Sequence, residues 1–588
     1  MLNLSQFNVL KNLKIKKYTQ RELSKDLNIS LGKVNSIITY LKDKKYIDLN
    51  LNITGLGLDK LNYYKVNNAV ILAAGMSSRF VPLSYEKPKG LLKVKGELLI
   101  ERQIKQLKEK GIDDITLVVG YMKEKMFYLS EKYNVNIIVN ENYHKYNNTS
   151  SMILVKDILK NTYICSSDNY FVENPFEEYV YQGYYSCVFE EGDTKEYCVE
   201  FDNKDIIKKV SIGGKDSWVM LGHVYFDKNF SSKFSEILEY NYNNISSTKE
   251  KLWEDVYIEN IGKLNLIIKK YDSNIIKEFD SLEDLRLFDE KYVKNADSSI
   301  FKNISRILDC KDSDIYEILP IKEGMTNTSF SFMCKNIKYV YRHPGVGTEE
   351  YINRASEAAS MSVAKELGLD DTIIYIDEIE GWKLSYFVED VVSLDYRNDK
   401  HVDKALNMLK ILHTSNKKTK YEFNIWNEIE KFKNKLDKIN RSDFEDMSHL
   451  MSIYDSLRFH LNNDNFDKCL CHGDSYAPNF LIDKNFKMYL IDWEYSGMAD
   501  PASDLGTFIA CSDYTLEEAI NVIEKYFGRE CSEKEIRHYL GYISVISFYW
   551  FLWALNQESK GKIVGEYTYI WYKYTKLYGK KSLDLYKN

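Results

Sequence analysis

"CLCHGDSYAPNFLIDKNFKMYLIDWEYSG", residues 469 to 497, decides how the second half of this 588-residue chain is read. Asp474 and Asn479 stand five residues apart in it, and Asp492 follows thirteen later, at the end of an apolar strand. Three metal-compatible side chains at this spacing make a catalytic loop followed by a magnesium strand. In such a loop Asp474 accepts or orients the proton of a substrate hydroxyl, while Asn479 and Asp492 hold Mg2+ bridging the phosphates of ATP. Upstream, a β-rich opening (315–342) gives way to mostly helical sequence from 400, a small β lobe before a large helical one. "LPIKEGMTNTSFSF" (319–332) reads as a hairpin turn covering phosphates. Arg342 stands on the next strand, where its fork suits a bidentate phosphate clamp, and Glu357 on the following helix is its natural ion-pair partner.

About 400 residues earlier, "AVILAAGMSSRFVPLSYEKPKGLL" (69–92) is a different nucleotide-binding loop. It follows a strand, and the small residues Ala73, Ala74, Gly75 and Ser78 let backbone N–H groups approach a triphosphate. Arg79 supplies charge, and Lys89, ten residues on, is placed to neutralise charge developing on a reacting phosphate. "DITLVVGY" (114–121) and "TYICSSDNYF" (162–171) are further strands with helical stretches between them, so a parallel sheet covered on both faces is expected. Asp168 at a strand end is a Mg2+ carboxylate. A second comes from "LWEDVYIENI" (252–261), as Glu254 or Asp255, since magnesium needs only one or two.

The compound AAGMSSR, KPKGLL and Asp168 in SSDNY resembles the sugar-phosphate nucleotidyltransferase superfamily over about 67–295. Within it, the Trp-acidic-acidic stretch at 253–255 is similar to the bacterial phosphocholine cytidylyltransferases. That resemblance implies CTP as substrate, phosphocholine as acceptor, and a choline pocket with Trp253 and Trp218 as candidate walls beside Glu196, Tyr197 and Tyr225. Each of these aromatics also reads as an ordinary core residue. The pattern R-x-PG-x-GTEE-x-INR-x-x-E, with HGD and IDWEYSG, resembles the choline kinases over about 300–588. Here the resemblance implies a Trp pair, Trp550 and Trp553 in "SFYWFLWALNQ" (547–557), walling the cation from one side of a helix. Glu494 and Tyr495, just past Asp492, are expected beside it. Together the resemblances imply choline phosphorylated with ATP, then phosphocholine joined to CTP to give CDP-choline and pyrophosphate, with Mg2+ at both centres. Ethanolamine or another amino alcohol in place of choline is the alternative substrate. A transcriptional regulator with sensor-like catalytic domains is the alternative class.

The regulator reading draws on the N-terminus. Residues 1–66 hold twelve Lys/Arg and five Asp/Glu, a charge of +7, whereas the whole chain is −7 and the remainder therefore −14. "TQRELSKDLN" (19–28) and "ISLGKVNSIITYLKDKKYI" (29–47) read as helices, and "DLNLNITGLG" (48–57) alternates like a short hairpin. This resembles a winged helix-turn-helix, which implies DNA as a partner, with Lys33, Asn35 and Ser36 on the recognition helix. A module for regulation or homodimerisation is the other reading. The expected fold is thus multidomain: a winged-helix domain (1–66), an α/β nucleotidyltransferase domain with a mostly parallel sheet (67–295), and an α+β kinase-like two-lobed domain (296–588). Nine scattered cysteines without a CxxC pair read as reduced thiols, with neither zinc nor a disulfide framework. The N-terminus lacks signal-peptide features, and the longest apolar run (542–555) is too short to span a bilayer, so a cytoplasmic protein is expected.

Overall fold

The computed structural model describes residues 1–321, 327–345, 348 and 352–587. The chain forms two compact units, Met1–Arg306 with Lys311–Ser313, and Ile307–Cys310 with Asp314–Asn588. Among the described residues no helix is long and apolar enough to cross a membrane.

The first unit is organised by a seven-stranded sheet. Its order is Ile267–Tyr271, Tyr184–Phe201, Ile207–Phe226, Thr162–Ser166, Asn68–Ala73, Ile115–Val119, Asn136–Val139. The Asn68–Ala73 strand runs parallel to both neighbours, with Ile71 opposite Leu117 on one side and Cys165 on the other. These strands are nearly continuous apolar runs because both faces are covered, as parallel strands require. The other half is a long antiparallel hairpin, Tyr184–Phe201 with Ile207–Phe226, so the sheet is mixed. Because the parallel strands end on the same edge, residues 74–80 and 166–169 converge there. That edge is where ligands bind in open α/β sheets.

The N-terminal segment forms helices Leu4–Ile15, Gln20–Asp26, Leu31–Asp43 and Gly55–Asn62. Val34, Ile37, Ile38 and Leu41 are buried on one face of the third, as their spacing requires. The expected 48–57 hairpin shrinks to a single Ile47–Ile53 bridge. Asp48 accepts the N–H groups of Asn50 and Asn52, and Thr54 then caps the fourth helix, so local capping wins over strand extension. The segment's core does not close on itself. Phe7 and Tyr64 pack with Tyr179 and Tyr181 from the sheet domain, and Lys14 pairs with Glu178 at 2.7 Å.

The second unit opens with a five-stranded sheet, order Ile315–Ile321, Asn327–Cys334, Ile337–Pro344, Lys383–Tyr386, Ile373–Ile376, antiparallel throughout. The expected phosphate-covering turn falls largely on residues 322–326, outside the described residues. A helical lobe follows, built around the long helix Glu533–Ser559, which is buried along most of its length.

The shared core at Phe7 generates a prediction about stability. Phe7→Ala is expected to cost about 3–5 kcal/mol and to lower the melting midpoint of the sheet domain, read from the fluorescence of its buried Trp253. An unchanged sheet-domain midpoint would mean that the helices melt as a separate body.

Candidate active sites

In the first unit Lys89 and Asp168 meet. Lys89 Nζ donates to Asp168 Oδ2 at 2.9 Å, and Ser166 Oγ donates to Oδ1 at 2.5 Å. Gly90 permits the approach, since a Cβ there would lie 3.0 Å from that of Ser167. Burial works against the Lys89 charge, but Asp168, Glu278 and Asp280 outweigh it and hold its pKa above the ordinary value. Ser78, Arg79, Lys89, Asp168, Glu278 and Asp280 line one cavity of about 270 Å³.

The carboxylates facing Asp168 are therefore Glu278 and Asp280, where the sequence suggested Glu254 or Asp255. Pairing explains the difference. Lys277 stands opposite Tyr170 in a short antiparallel bridge, which carries Glu278 to within 3.3 Å of the Asn169 side-chain amide. Asp255 is engaged elsewhere: it accepts the Leu252 N–H at 2.9 Å, capping its own helix, and the Tyr197 hydroxyl at 3.0 Å. Glu254 points into a neighbouring cavity of about 340 Å³ that also borders Ala74 and Gly75. Asn148 donates to it at 3.3 Å, and burial pushes its carboxyl up to about 7. Glu278 is likewise pushed up, by burial and by the charge of Asp168, to about 8.

Tyr185, Tyr197, Trp253 and Glu196 line the cavity with Glu254. Trp253 stacks on Tyr185 with ring centres 5.9 Å apart, and its other contacts are core rings, Phe226 and Phe234. Trp218 is not among the lining residues. It packs against Phe189 and lies under the Lys270 ammonium at 5.7 Å, so its face already serves a cation. Tyr225 is fully buried in the core. The result is an aromatic chamber with three carboxylates, Glu196, Glu254 and Glu278, each held above its ordinary pKa by burial.

In the second unit the 472–479 loop hangs on Asp504. Its carboxylate accepts the backbone N–H of His472 at 2.8 Å and of Gly473 at 2.7 Å. Gly473 has φ +82°, and a Cβ on it would lie 2.3 Å from the Tyr495 carbonyl oxygen. Asn479 Nδ2 donates to the Asp474 carboxylate at 3.0 Å and to its carbonyl at 2.8 Å. Burial, reinforced by Asp492 and Glu494, raises the Asp474 carboxyl well above its usual range.

Arg342 and Glu357 pair at 2.5 Å, and the same guanidinium reaches Asp492 at 3.1 Å. Burial opposes the Asp492 charge, but Lys383, Arg342 and other nearby cations hold its carboxyl below the ordinary range. Lys383, opposite Arg342 in the sheet register, is a cation that the sequence reading passed over. Two charged side chains on paired strands became neighbours only through that register.

Glu494 accepts a hydrogen bond from Asn327 at 2.8 Å and lies 3.9 Å from Arg354, so it is part of this ion network. Tyr495 stands edge-on to Trp550 with centroids 5.6 Å apart, and Trp550 edge-on to Trp553 at 5.5 Å. Both tryptophans are buried, yet their indole N–H groups find no hydrogen-bond partner.

Residues 318–545 match the family model of choline/ethanolamine kinases, and residues 69–172 that of MobA-like NTP transferase domains. The choline-phosphate cytidylyltransferase of Streptococcus pneumoniae is 34% identical over 222 residues, covering 38% of this chain and 96% of that protein. The 2-aminoethylphosphonate cytidylyltransferase of Lancefieldella rimae is 32% identical over 234 residues, covering 38% and 93%. Among solved structures, choline kinase LicA from Streptococcus pneumoniae aligns at 28% identity over 50% of this chain and 98% of its own, with a TM-score of 0.41.

The glycine of the 472–479 loop is directly testable. Gly473→Ala forces a left-handed conformation costing about 1–2 kcal/mol before the clash with Tyr495 is counted. It is expected to lower the denaturation midpoint of the second unit, with no change in the first.

Proposed function

The chain belongs to the choline-phosphate cytidylyltransferase family, and from that premise we propose that it makes CDP-choline in two steps, each in its own unit. Residues 296–588 phosphorylate choline with ATP. Residues 67–295 join the resulting phosphocholine to CTP and release pyrophosphate. The observation that carries this reading is that each phosphate centre stands in a unit that also holds an aromatic cluster with carboxylates nearby. A quaternary ammonium offers no hydrogen-bond donor, so aromatic faces and nearby negative charge are the chemistry that recognises it.

In the kinase step Asp474 takes the proton of the choline hydroxyl, and Asn479 fixes that carboxylate in position. Arg342 stays locked to Glu357 and orients Asp492. Tyr495, Trp550 and Trp553 wall the cation, and Glu494 contributes at longer range from within the Asn327–Arg354 network. In the transfer step the acceptor phosphate attacks the α-phosphorus of CTP. Lys89 offsets the charge that develops there, while the 74–79 loop and Arg79 hold the triphosphate. Glu254, with Glu196, faces the ammonium, and Asp255 acts through Tyr197 as a support.

Mg2+ fits both centres. Asp168, Glu278 and Asp280 gather round a single lysine, and burial together with the Asp168 charge pushes Glu278 up. Asp492 and Asn479 supply hard oxygens beside a likewise raised Asp474. When bound, the ion neutralises phosphate charge at each centre.

The N-terminal helices support a second proposal, DNA binding by a winged-helix module. Lys33, Asn35 and Ser36 are exposed on the Leu31–Asp43 helix, in a segment of charge +7. Affinity for duplex DNA should then fall steeply with salt through counterion release. A salt-insensitive or absent interaction removes the proposal.

Incubation with choline, ATP, CTP and Mg2+ is expected to yield phosphocholine and then CDP-choline by mass. Asp474→Ala should stop the first product yet leave conversion of supplied phosphocholine intact. Lys89→Ala should let phosphocholine accumulate. Supplied 2-aminoethylphosphonate, a primary ammonium, should be the poorer acceptor in the aromatic chamber; a preference for it would overturn the choline assignment while sparing the two-step reading.

The Glu254 carboxyl adds a pH dependence. It is neutral below about 7 and anionic above, and a bound cation favours the anion. The KM for phosphocholine should therefore fall as pH rises through 7. Glu254→Gln should abolish that fall, leaving only the titration of the substrate phosphate near pH about 6.

A further inference from the structure

We propose that His413, Cys469 and Cys471 form a binding site for a thiophilic divalent cation of the Zn2+ class, directly behind the catalytic loop of the kinase domain. Their donor atoms all lie within 4.8 Å of one another. Among the described residues this is the one group of three His, Cys, Asp or Glu side chains that close. Cys469 and Cys471 are two apart on the strand Cys469–Cys471, so their side chains share a face, with sulfurs 3.7 Å apart. His413 comes from the last turn of the helix Asp399–Thr414. Tetrahedral zinc, with Zn–S about 2.3 Å and Zn–N about 2.0 Å, sets its ligands roughly 3.3–3.8 Å apart. The cluster has to close by only about an ångström.

The surroundings match the chemistry of such a site. Asp504 Oδ2 is 2.9 Å from His413 Nε2, the carboxylate–histidine arrangement that fixes ring orientation in metal sites and leaves the other nitrogen for the ion. That nitrogen, Nδ1, now meets the Tyr526 hydroxyl at 2.8 Å. On binding, the phenol either turns away or becomes a fourth, oxygen donor. Two thiolates neutralise a divalent ion, leaving only the Asp504 charge, which the His472 and Gly473 N–H groups already meet, and the two thiol protons leave to solvent. Cys469 is half-buried.

The site touches function through Asp504. The carboxylate that orients His413 also holds the N–H groups of His472 and Gly473, immediately before Asp474. An ion fixing His413 to the strand would stiffen the seat of the catalytic loop. This goes beyond the choline reading and survives if that reading fails, because the test reads metal binding and not turnover.

The test uses reduced, tag-free full-length protein, with Mg2+ in excess to occupy the carboxylate sites, titrated with Co2+ as a spectroscopic stand-in for Zn2+. A thiolate-to-cobalt charge-transfer band saturating at one equivalent is expected, displaced by Zn2+ and accompanied by release of about two protons. Zn2+ should also raise the melting midpoint of the second unit, as any ligand of the folded state does. Cys469→Ser, at the half-buried position, should fold normally, lose half or more of the band and bind Zn2+ at least about ten-fold more weakly. Cys471→Ser should behave alike where it folds. No charge-transfer band at one equivalent, or one that persists undiminished in Cys469→Ser, overturns the proposal.

Discussion

Lys89 and Asp168 meet at 2.9 Å in a place where neither is well hydrated, the lysine being only 8% exposed. Such a pair is weak evidence for stability, since removing both charges from water costs about as much as their attraction returns. Around it stand Glu278 and Asp280, so the negative charge exceeds the positive. The same imbalance recurs in the second unit, where Asp474, Asp492, Glu494 and Glu357 share Arg342, Arg354 and Lys383. A protein selected for stability alone would not bury such a surplus. Glu278 and Asp474 are pushed toward the protonated form, first by burial and then by neighbouring carboxylates, and a divalent ion would favour the carboxylate at each. On the proposed reading, this surplus is what a magnesium–nucleotide complex would meet at each centre.

The two aromatic clusters proposed to take the ammonium follow a different rule. Both use aromatic edges and faces, but their carboxylates differ in tether. Glu254 and Glu196 line the chamber in the first unit directly, whereas Glu494 in the second is tied to Asn327 and Arg354. The first cluster therefore carries carboxylates at its wall, and the second presents rings with its carboxylate set further back. A chain carrying both chemistries raises the local concentration of the intermediate that one makes and the other consumes.

What was legible in the sequence was local. AAGMSSR and HGD announce themselves because their backbones do the work, and the Arg342–Glu357 pair follows from strand-then-helix order. What escaped was brought together by pairing across long separations. Glu278 reaches Asp168 because Lys277 pairs with Tyr170, and Lys383 meets Arg342 because their strands are in register. Asp255 illustrates the converse. Its spacing after Trp253 suggested a metal ligand, but an acidic side chain in the first turn of a helix is equally a cap, and here the cap won. The N-terminal helices read as a self-contained module because their own apolar stripes are complete. Their dependence on Tyr179 and Tyr181 shows only in the fold.

The cysteines make the same point with the sign reversed. Searching for CxxC pairs presumes a turn that folds two thiols onto one ion, and by that criterion the chain holds no metal ligands. A strand needs no turn, because its period of two already places residues i and i+2 on one face. Cys469 and Cys471 satisfy that period, and His413 is supplied by a helix 56 residues upstream of the first of them. The strand they occupy leads directly into His472, Gly473 and Asp474. The sulfurs and the Asp474 carboxylate thus share one backbone and one anchoring residue, Asp504.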